Sequence, residues 1–289
     1  MNETVLRQTQ QYAAAIHTEV CRMIARLPNG HLGGSLSIAD TLAVLYQSHL
    51  RYRADDPHWA GRDWVVMSKG HCGPALYAAL ALKGFFPMEQ LATLNTPHTD
   101  LPSHCDRNHT PGIDMTTGSL GQGASTAAGA AVGMKLDGTD SRVYLILGDG
   151  ELDEGQGWEA FMSAAKYKLD NLCIMVDVNG LQIDGPTREV MNSEPLDKKM
   201  DAFGFNTIVC NGNSFAELEQ AFKMFDLSHG SGKPTCFLLR TTKGLGVSYM
   251  QNAVDWHGKA PNDEEYAQAM DELRAAHESL EKELELING

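Results

Sequence analysis

Short apolar runs alternate with helical segments along the second half of this 289-residue chain, and this alternation limits the possible folds more than any other feature. The apolar runs have the length of buried strands. They cover residues 143–147, 172–178, 205–210 and 235–240. The helical segments between them end at Lys166 or cover residues 196–202 and 215–225. Strands and helices that alternate in this way form a mostly parallel sheet with helices on both faces. We therefore predict a single α/β domain over residues 1–289.

The first half of the chain adds further helices and one long irregular segment. The predicted elements are helices at 5–27, after Ser37 and from Pro74, a strand at 64–67, and an acidic C-terminal helix at 262–289. The turn residues Pro28-Asn29-Gly30 end the first helix. Residues 95–121 are rich in Pro, Thr, His, Asp and Gly. We expect an irregular segment there, of the kind that often carries function.

The charge and the cysteine content disfavour several classes of protein. The net charge is −14, which makes nucleic acid an unexpected partner. Apolar runs stay well short of the roughly 18 residues of a membrane span, and the N-terminus lacks a signal-peptide pattern. The six cysteines form no C-x-x-C pair, so we expect a reduced, cytoplasmic protein with no disulfide framework. Much of the acidic excess lies in residues 263–285, which we interpret as a solvated helix face.

The segment Gly148-Asp149-Gly150 follows a predicted strand and precedes a predicted helix. Ligands of open α/β sheets bind at this carboxyl edge, where helix amides can face an anion. Asn179 follows the next strand after a spacing of 28 residues, so it can reach the same edge. Carboxylate and amide oxygens suit Mg²⁺. Alone, Gly-Asp-Gly is also an ordinary turn, but together with Asn179 it indicates a magnesium and diphosphate site.

This pair of motifs resembles the fingerprint of thiamine diphosphate enzymes. Five further motifs narrow the resemblance to the transketolase family, from about residue 10 to residue 262. They are Asn29-Gly30-His31, Ser68-Lys69-Gly70-His71, Pro102-Ser103-His104, Thr117-Gly118-Ser119-Leu120-Gly121-Gln122-Gly123 and Trp256-His257-Gly258. The resemblance implies that thiamine diphosphate and Mg²⁺ are bound. The implied metal ligands are Asp149, Asn179 and the backbone carbonyl of Leu181.

The resemblance also implies roles for individual residues. The implied catalytic residues are His31, His104, His257 and Glu154. The implied cofactor-binding residues are His71, Gly118, Leu120, Gly148, Asp149, Gly150 and Asn179. Imidazole exchanges protons near neutral pH, which suits these histidines to chemistry on sugar hydroxyls. His109 lies in the same loop as His104 and is the alternative for its place, while Lys243 has no expected role beyond attraction of an anion.

A complete transketolase continues beyond this region with a pyrimidine-binding domain and a C-terminal domain. The glutamate that activates the cofactor's pyrimidine ring belongs to the pyrimidine-binding domain, so we do not expect it here. The resemblance therefore implies the N-terminal subunit of a split transketolase, in an α2β2 assembly with a C-terminal subunit. Such an assembly transfers a two-carbon ketol unit between sugar phosphates, and the sequence leaves the donor and the acceptor open.

Three alternatives remain at this point. The α subunit of a 2-oxo acid dehydrogenase shares the metal fingerprint, although its chemistry does not require the histidine array. A non-catalytic subunit could bind the cofactor for assembly or regulation, and the retained histidines and metal ligands argue against this. A nicotinamide-binding protein is disfavoured because no strand leads into a full G-x-G-x-x-G motif.

Overall fold

The computed structural model describes residues 1–288, with side chains described for 1–282, so Gly289 of the predicted domain lies outside the described residues. The helices are α1 (Glu3–Ile24), α2 (Leu32–Ser37), α3 (Ala39–Val44), α4 (Gly73–Leu82), α5 (Gln122–Leu136), α6 (Gly155–Lys166), α7 (Thr187–Val190), α8 (Leu196–Phe203), α9 (Phe215–Ser228) and α10 (Asp263–Asn288). The strands are β1 (Trp64–Met67), β2 (Val143–Gly148), β3 (Leu172–Val178), β4 (Leu181–Gln182), β5 (Gly185–Pro186), β6 (Asn206–Asn211) and β7 (Thr235–Arg240). No helix in this described part of the chain has the length and apolar character that crossing a membrane requires.

Five strands form one sheet in the order β1-β2-β3-β7-β6, and every neighbouring pair is parallel. The predicted α/β class with a parallel sheet is therefore confirmed. The register places Gly148 of β2 beside Asp177 of β3, and Val178 of β3 beside Arg240 of β7. Because parallel strands end at the same edge, the loops after β1, β2, β3 and β7 meet there.

Helices cover both faces of the sheet because successive strand residues point to opposite sides. In β2, Tyr144 and Ile146 join a core formed with α1, α3, α4 and α9. Val143, Leu145 and Leu147 of the same strand join a second core formed with α5, α6 and α8. Burial on both faces accounts for the uninterrupted apolar runs in the sequence.

Local sequence signals explain where several helices begin and end. The side chain of Asn2 caps α1 by accepting a hydrogen bond from the amide of Val5 at 2.9 Å. This helix ends at Ile24, before the predicted turn at Pro28. Gly204 follows α8 with a φ of +91°, a left-handed conformation that glycine adopts without strain.

Several elements differ from the sequence-based expectation. The predicted helix after Ser37 is α3, but α2 precedes it and was not predicted, and neither were α5, α7 and the β4–β5 hairpin. Helices α2 and α5 are rich in Gly, Ala and Ser, so they show little amphipathic periodicity and depend on tertiary packing. The hairpin has only two pairs of residues, too few for a recognisable alternation.

The predicted C-terminal helix is present as α10, and it does more than expose an acidic face. It packs along α1 and buries Ala269 and Leu273. The carboxylate of Glu272 accepts hydrogen bonds from both the amide and the hydroxyl of Ser248, each at 2.7 Å. The interpretation as a solvated face is therefore incomplete, because α10 also fixes the backbone at Ser248, in the segment that leads to His257.

Candidate functional site

A cavity of about 220 Å³ lies at the carboxyl edge of the sheet, where the loops after β1, β2, β3 and β7 meet. Eight of the predicted site residues line it, and they are His71, Leu120, Gly148, Asp149, Gly150, Asn179, Leu181 and His257. The sheet register explains this convergence, since it sets the ends of β2 and β3 side by side. The cavity is therefore the candidate active site.

Asp149 follows β2 and is almost fully buried. One carboxylate oxygen accepts from the amide of Gly150 at 2.9 Å, and the other accepts from the amide of Gly180 at 2.7 Å. Burial, and then the neighbouring charge of Asp177, raise the pKa of Asp149 to about 7. A cation at this carboxylate would relieve that repulsion.

Asn179 follows β3, beside Asp149. Its side-chain nitrogen donates to Asp177 at 3.1 Å, and its side-chain oxygen accepts from the amide of Leu181 at 3.1 Å. In the described residues no cluster of three or more His, Cys, Asp or Glu side chains could hold a metal. The candidate ligands are instead one carboxylate, one amide oxygen and one backbone carbonyl, all of them hard oxygen donors that suit Mg²⁺.

A buried ion pair between Lys69 and Asp177 supports this edge of the sheet and was not predicted. Lys69 is only 1% exposed, and its ammonium also donates to the carbonyl of Gly34 at 2.9 Å. Ser37 and Thr241 donate to the same aspartate. Burial opposes both charges, but mutual attraction outweighs it, so the pKa of Lys69 is raised and that of Asp177 lowered. The sequence signal for this ion pair was Asp177 itself, because a carboxylate inside an otherwise apolar strand needs a buried cationic partner.

Glu151 is a second buried carboxylate that the sequence motifs did not single out. It accepts hydrogen bonds from the hydroxyl of Ser68, the amide of Gly121 at 3.0 Å and the amide of Gly148 at 3.1 Å. These bonds join the loops after β1 and β2 to the start of α5. Burial nevertheless leaves the pKa of Glu151 above its ordinary value. Its position directly after Gly148-Asp149-Gly150 was the available signal.

Four of the predicted histidines form one cluster. The ring centroids of His71, His257 and His104 lie 5.3, 5.7 and 6.0 Å from that of His31. The centroids of His71 and His257 are 5.1 Å apart. Four segments far apart in the sequence thus deliver imidazoles to one place beside the cavity.

The structure also separates the two histidines of the irregular loop. Both rings are exposed, but His104 lies in the cluster, whereas His109 has Nε2 3.8 Å from a carboxylate oxygen of Asp106. The geometry therefore favours His104 for the site.

The cluster holds its imidazoles in the neutral form. Burial, and then the charge of His71, lower the pKa of His31 to about 4. Burial, and then Lys69, lower that of His71 to about 4, while burial and Lys243 lower that of His257 to about 3. Near pH 7 each ring can therefore donate one hydrogen bond and accept another.

Lys243 is the second buried lysine of the site. It is 2% exposed, lines the cavity, and its ammonium lies 3.0 Å from Nδ1 of His257. Burial lowers the pKa of Lys243. Since the imidazole is neutral, the ammonium is poorly balanced within these contacts and favours an anion in the cavity.

Comparison with known proteins agrees with this geometry. Residues 8–286 match the family model described as the transketolase, thiamine diphosphate binding domain. The chain belongs to the transketolase family. The resemblance inferred from the sequence is confirmed, and two alternatives, a nicotinamide-binding protein and the α subunit of a 2-oxo acid dehydrogenase, are set aside.

Individual relatives match this chain over different shares of their own length. It is 46% identical to the 6-deoxy-6-sulfo-D-fructose transketolase subunit SqwG of Clostridium sp. (strain MSTE9), over 91% of this chain and 95% of that protein. It is 41% identical to an apulose-4-phosphate transketolase subunit of Phocaeicola vulgatus, over 88% of this chain and 89% of that protein. The crystal structure of transketolase from Campylobacter jejuni superposes with a TM-score of 0.85 at 28% identity. That match covers 99% of this chain but 47% of the other.

Gly118 and Leu120 belong to the transketolase motif that precedes α5. Gly118 has a φ of +131°, and a Cβ there would lie 3.0 Å from the side chain of His104. This glycine therefore lets the backbone pass close to the histidine cluster. Leu120 is 39% exposed at the rim of the cavity. Both positions are compatible with contact to a cofactor, which stays a prediction.

Glu154 lies outside the cavity but next to the motif that contains Gly118 and Leu120. It is exposed, precedes α6 and contacts Gly121, where an added Cβ would lie 2.8 Å from the Cβ of Glu154. Glu154 does not line the cavity, so its predicted catalytic role would have to act through another subunit.

Proposed function

We propose that this chain is the cofactor-binding subunit of a two-component transketolase. It binds thiamine diphosphate and Mg²⁺, and with a partner subunit it transfers a two-carbon ketol unit from a ketose to an aldose. The observation that carries the proposal is the convergence of His31, His71, His104 and His257 beside the loops of Asp149 and Asn179.

In this proposal Asp149, Asn179 and the carbonyl of Leu181 hold the magnesium ion. They are hard oxygen donors on adjacent loops, and all three residues line the cavity. Asp177 is not a ligand, because Lys69, Ser37 and its other donors already occupy its carboxylate. The donor set therefore fits a magnesium ion that leaves coordination positions for phosphate oxygens.

The diphosphate fits the positive side of the same cavity. The buried ammonium of Lys243 lines the cavity, where it can pair with a phosphate oxygen. When bound, thiamine diphosphate supplies the carbanion chemistry that amino-acid side chains cannot provide. The chain's part is to bind the diphosphate, orient it and exclude water.

The histidines handle the sugar in this proposal. Neutral imidazoles at His31 and His104 can each donate to a carbonyl oxygen and accept from a hydroxyl group. His257 accepts from Lys243 through Nδ1, so its Nε2 can donate to a substrate oxygen. The centroid of His31 lies 6.0 Å from that of His104 and 5.7 Å from that of His257, so neighbouring rings can reach adjacent oxygens of one substrate. His71 lines the cavity beside the diphosphate position and takes the cofactor-binding role.

The partner supplies what this domain does not contain. Two relatives named as transketolase subunits match over 95% and 89% of their own length, which supports a two-component organisation. The Campylobacter transketolase extends over more than twice the region matched here. We propose that its remaining part corresponds to the partner, in a cytoplasmic α2β2 assembly. The relatives' names include a sulfonated and a phosphorylated sugar, which supports an anionic ketose as the donor.

Reconstitution tests the proposal. The purified chain should bind thiamine diphosphate with Mg²⁺ and show ketol transfer only in the presence of the partner subunit. His31→Ala and His257→Ala should each lower turnover by roughly 10²-fold while cofactor affinity changes little. His277→Ala, on α10, is the control. Full activity of the chain alone contradicts the two-component organisation. Cofactor binding without turnover of any ketose by the complex favours the non-catalytic alternative.

A further inference from the structure

Polar side chains outside the cavity hold the backbone on both sides of Lys243. On one side, the side-chain oxygen of Asn213 accepts from the amide of Thr242 at 2.9 Å. The side-chain nitrogen of Asn213 in turn donates to a carboxylate oxygen of Asp40 at 3.1 Å. Asn213 follows β6 and Asp40 lies in α3, so this contact ties the segment after β7 to two other elements.

His17 makes the corresponding contact on the other side. Its Nδ1 lies 3.1 Å from the carbonyl oxygen of Leu245, and since a carbonyl only accepts, this nitrogen is the donor. Its Nε2 lies 3.5 Å from the second carboxylate oxygen of Asp40. The ring is buried against the backbone, because a Cβ at Gly246 would lie 3.1 Å from Nδ1. Asp40 thus lies between the two contacts, hydrogen-bonded to Asn213 and close to the ring of His17.

These contacts bracket a short stretch of four residues. Thr242 is held through its amide and Leu245 through its carbonyl, while the amide of Gly244 donates to the carbonyl of Gly33 at 3.0 Å. Lys243 lies between these fixed points, so the origin of its side chain is set by α1, α3 and the loop after β6. Its ammonium then meets His257 at 3.0 Å.

We propose that His17, Asp40 and Asn213 are positioning residues that hold the Lys243 ammonium at the anion end of the active site. The proposal rests on the proposed function, because the anion is taken to be the cofactor diphosphate. None of the three side chains lines the cavity. They act through the backbone of residues 242–245, and neither the motifs nor the family resemblance pointed to them.

Two variants of one residue separate positioning from general stability. Asn carries its amide where histidine has Nδ1, so His17→Asn keeps a donor for Leu245. Gln places its amide near the position of Nε2, so His17→Gln keeps a polar group beside Asp40 and loses the contact to the Lys243 segment. Asn213→Ala removes the contact on the other side, at a half-buried residue whose loss the fold should tolerate. His49→Gln is the matched control, since His49 pairs with Glu219 at 2.9 Å and does not line the cavity.

The test combines a cofactor titration with a measurement that needs no cofactor. Calorimetry on the full chain with Mg²⁺ should show thiamine diphosphate affinity reduced about tenfold in His17→Gln and Asn213→Ala. His17→Asn should lose less, and His49→Gln should lose none, when variants are compared at equal thermal stability. The ¹⁵N spectrum of His257 in the free chain should change in His17→Gln and not in His49→Gln.

The outcomes distinguish this proposal from the proposed function. Unchanged affinity in His17→Gln, or equal losses in His17→Asn, His17→Gln and His49→Gln, overturns the positioning role. If the wild-type chain binds no thiamine diphosphate, the proposed function fails and the His257 spectrum alone decides. A spectrum of His257 unaltered by both His17→Gln and Asn213→Ala then overturns the positioning role as well.

Discussion

The contact between Lys243 and His257 sets the electrostatic character of the site at the level of single residues. Protonation of both groups is disfavoured, since burial lowers the pKa of Lys243, and burial together with Lys243 lowers that of His257. An ammonium that remains charged beside a neutral imidazole is stabilised by any anion that enters. The free site is therefore less favourable, electrostatically, than the site with its diphosphate.

Replacing Lys243 should raise the pKa values of the neighbouring His257 and His31 towards the ordinary value of histidine. In Lys243→Met the pKa of His257 should rise from about 3, because the largest charge that lowers it is gone. The pKa of His31 should rise less, since Lys243 contributes less to it than His71 and His104 do. Histidine titration by NMR measures both, with Lys259→Met as the control at an exposed lysine. An unchanged pKa of His257 in Lys243→Met would contradict the conclusion that Lys243 lowers it.

The proposed role of Asp149 in holding Mg²⁺ can be tested by removing its carboxylate. Asp149→Ala should abolish Mg²⁺-dependent binding of thiamine diphosphate, because the diphosphate loses its bridging cation. Isothermal titration with and without Mg²⁺ measures this. Asp153→Ala is the matched control, since Asp153 is exposed in the same turn and its carboxylate accepts from Gln182. Unchanged affinity in Asp149→Ala would remove this residue from the proposed site.

The sequence predicted residues that belong to motifs, and it missed residues whose role depends on pairing. His31, His71, His104 and His257 could be selected because each lies in a glycine-containing or otherwise distinctive motif. Lys69 stands in one of those motifs, yet a lysine is usually exposed, so its burial could not be inferred. Its burial depends on Asp177, which the sheet register brings to the same edge.

At the level of elements, the start of α5 is fitted tightly against Ser68, which directly follows β1. A Cβ at Gly123 would lie 2.7 Å from the Cα of Ser68, which leaves no room for a methyl group. A Cβ at Gly129, in the same helix, meets no atom within 4 Å. An added methyl group would therefore clash at Gly123 and fit without contact at Gly129.

Alanine at these two positions should act in opposite directions. Gly123→Ala should lower the free energy of unfolding by about 1–3 kcal/mol through overpacking. Gly129→Ala should raise it by about 0.5–1 kcal/mol, because alanine is the better helix former in open space. Urea denaturation of both variants measures the difference. A stabilised Gly123→Ala would mean that α5 can move away from β1 without cost.

The same elements show which parts of the fold were predictable. Strands β2, β3 and β7 were found within one residue because their apolar runs are buried on both faces. Helix α5 was not found, since its small residues carry no periodic apolar signal. What holds it is contact with β1, β2 and α6, which no local pattern encodes.

At the level of the whole molecule, two apolar side chains are exposed to solvent at the opening of the cavity. Ile183 lines it and is 66% exposed, and Leu120 is 39% exposed. The β4–β5 hairpin carries Ile183 outward from the sheet. We expect the partner subunit to cover this rim, because apolar contact there would close the site to water.

An acidic substitution at the rim should weaken the complex. Ile183→Asp should reduce the affinity between the two subunits about tenfold or more, since it would bury a charge in an apolar contact. Leu227→Asp is the control, because Leu227 is 86% exposed on α9 and does not line the cavity. Sedimentation velocity across a concentration series compares the two. Equal weakening by both variants would place the interface elsewhere.

The register of β2 and β3 has a consequence for how far the length of such a chain can change. Gly148 and Asp177 are paired, so the distance between the Asp149 and Asn179 loops is fixed across the sheet and does not depend on the residues that join them. Those residues form α6 and its connections, on the surface of the second core. An insertion at the far end of α6 would alter the spacing of the fingerprint and leave the site unchanged. Loss of one residue from β3 would invert its side chains and destroy the site.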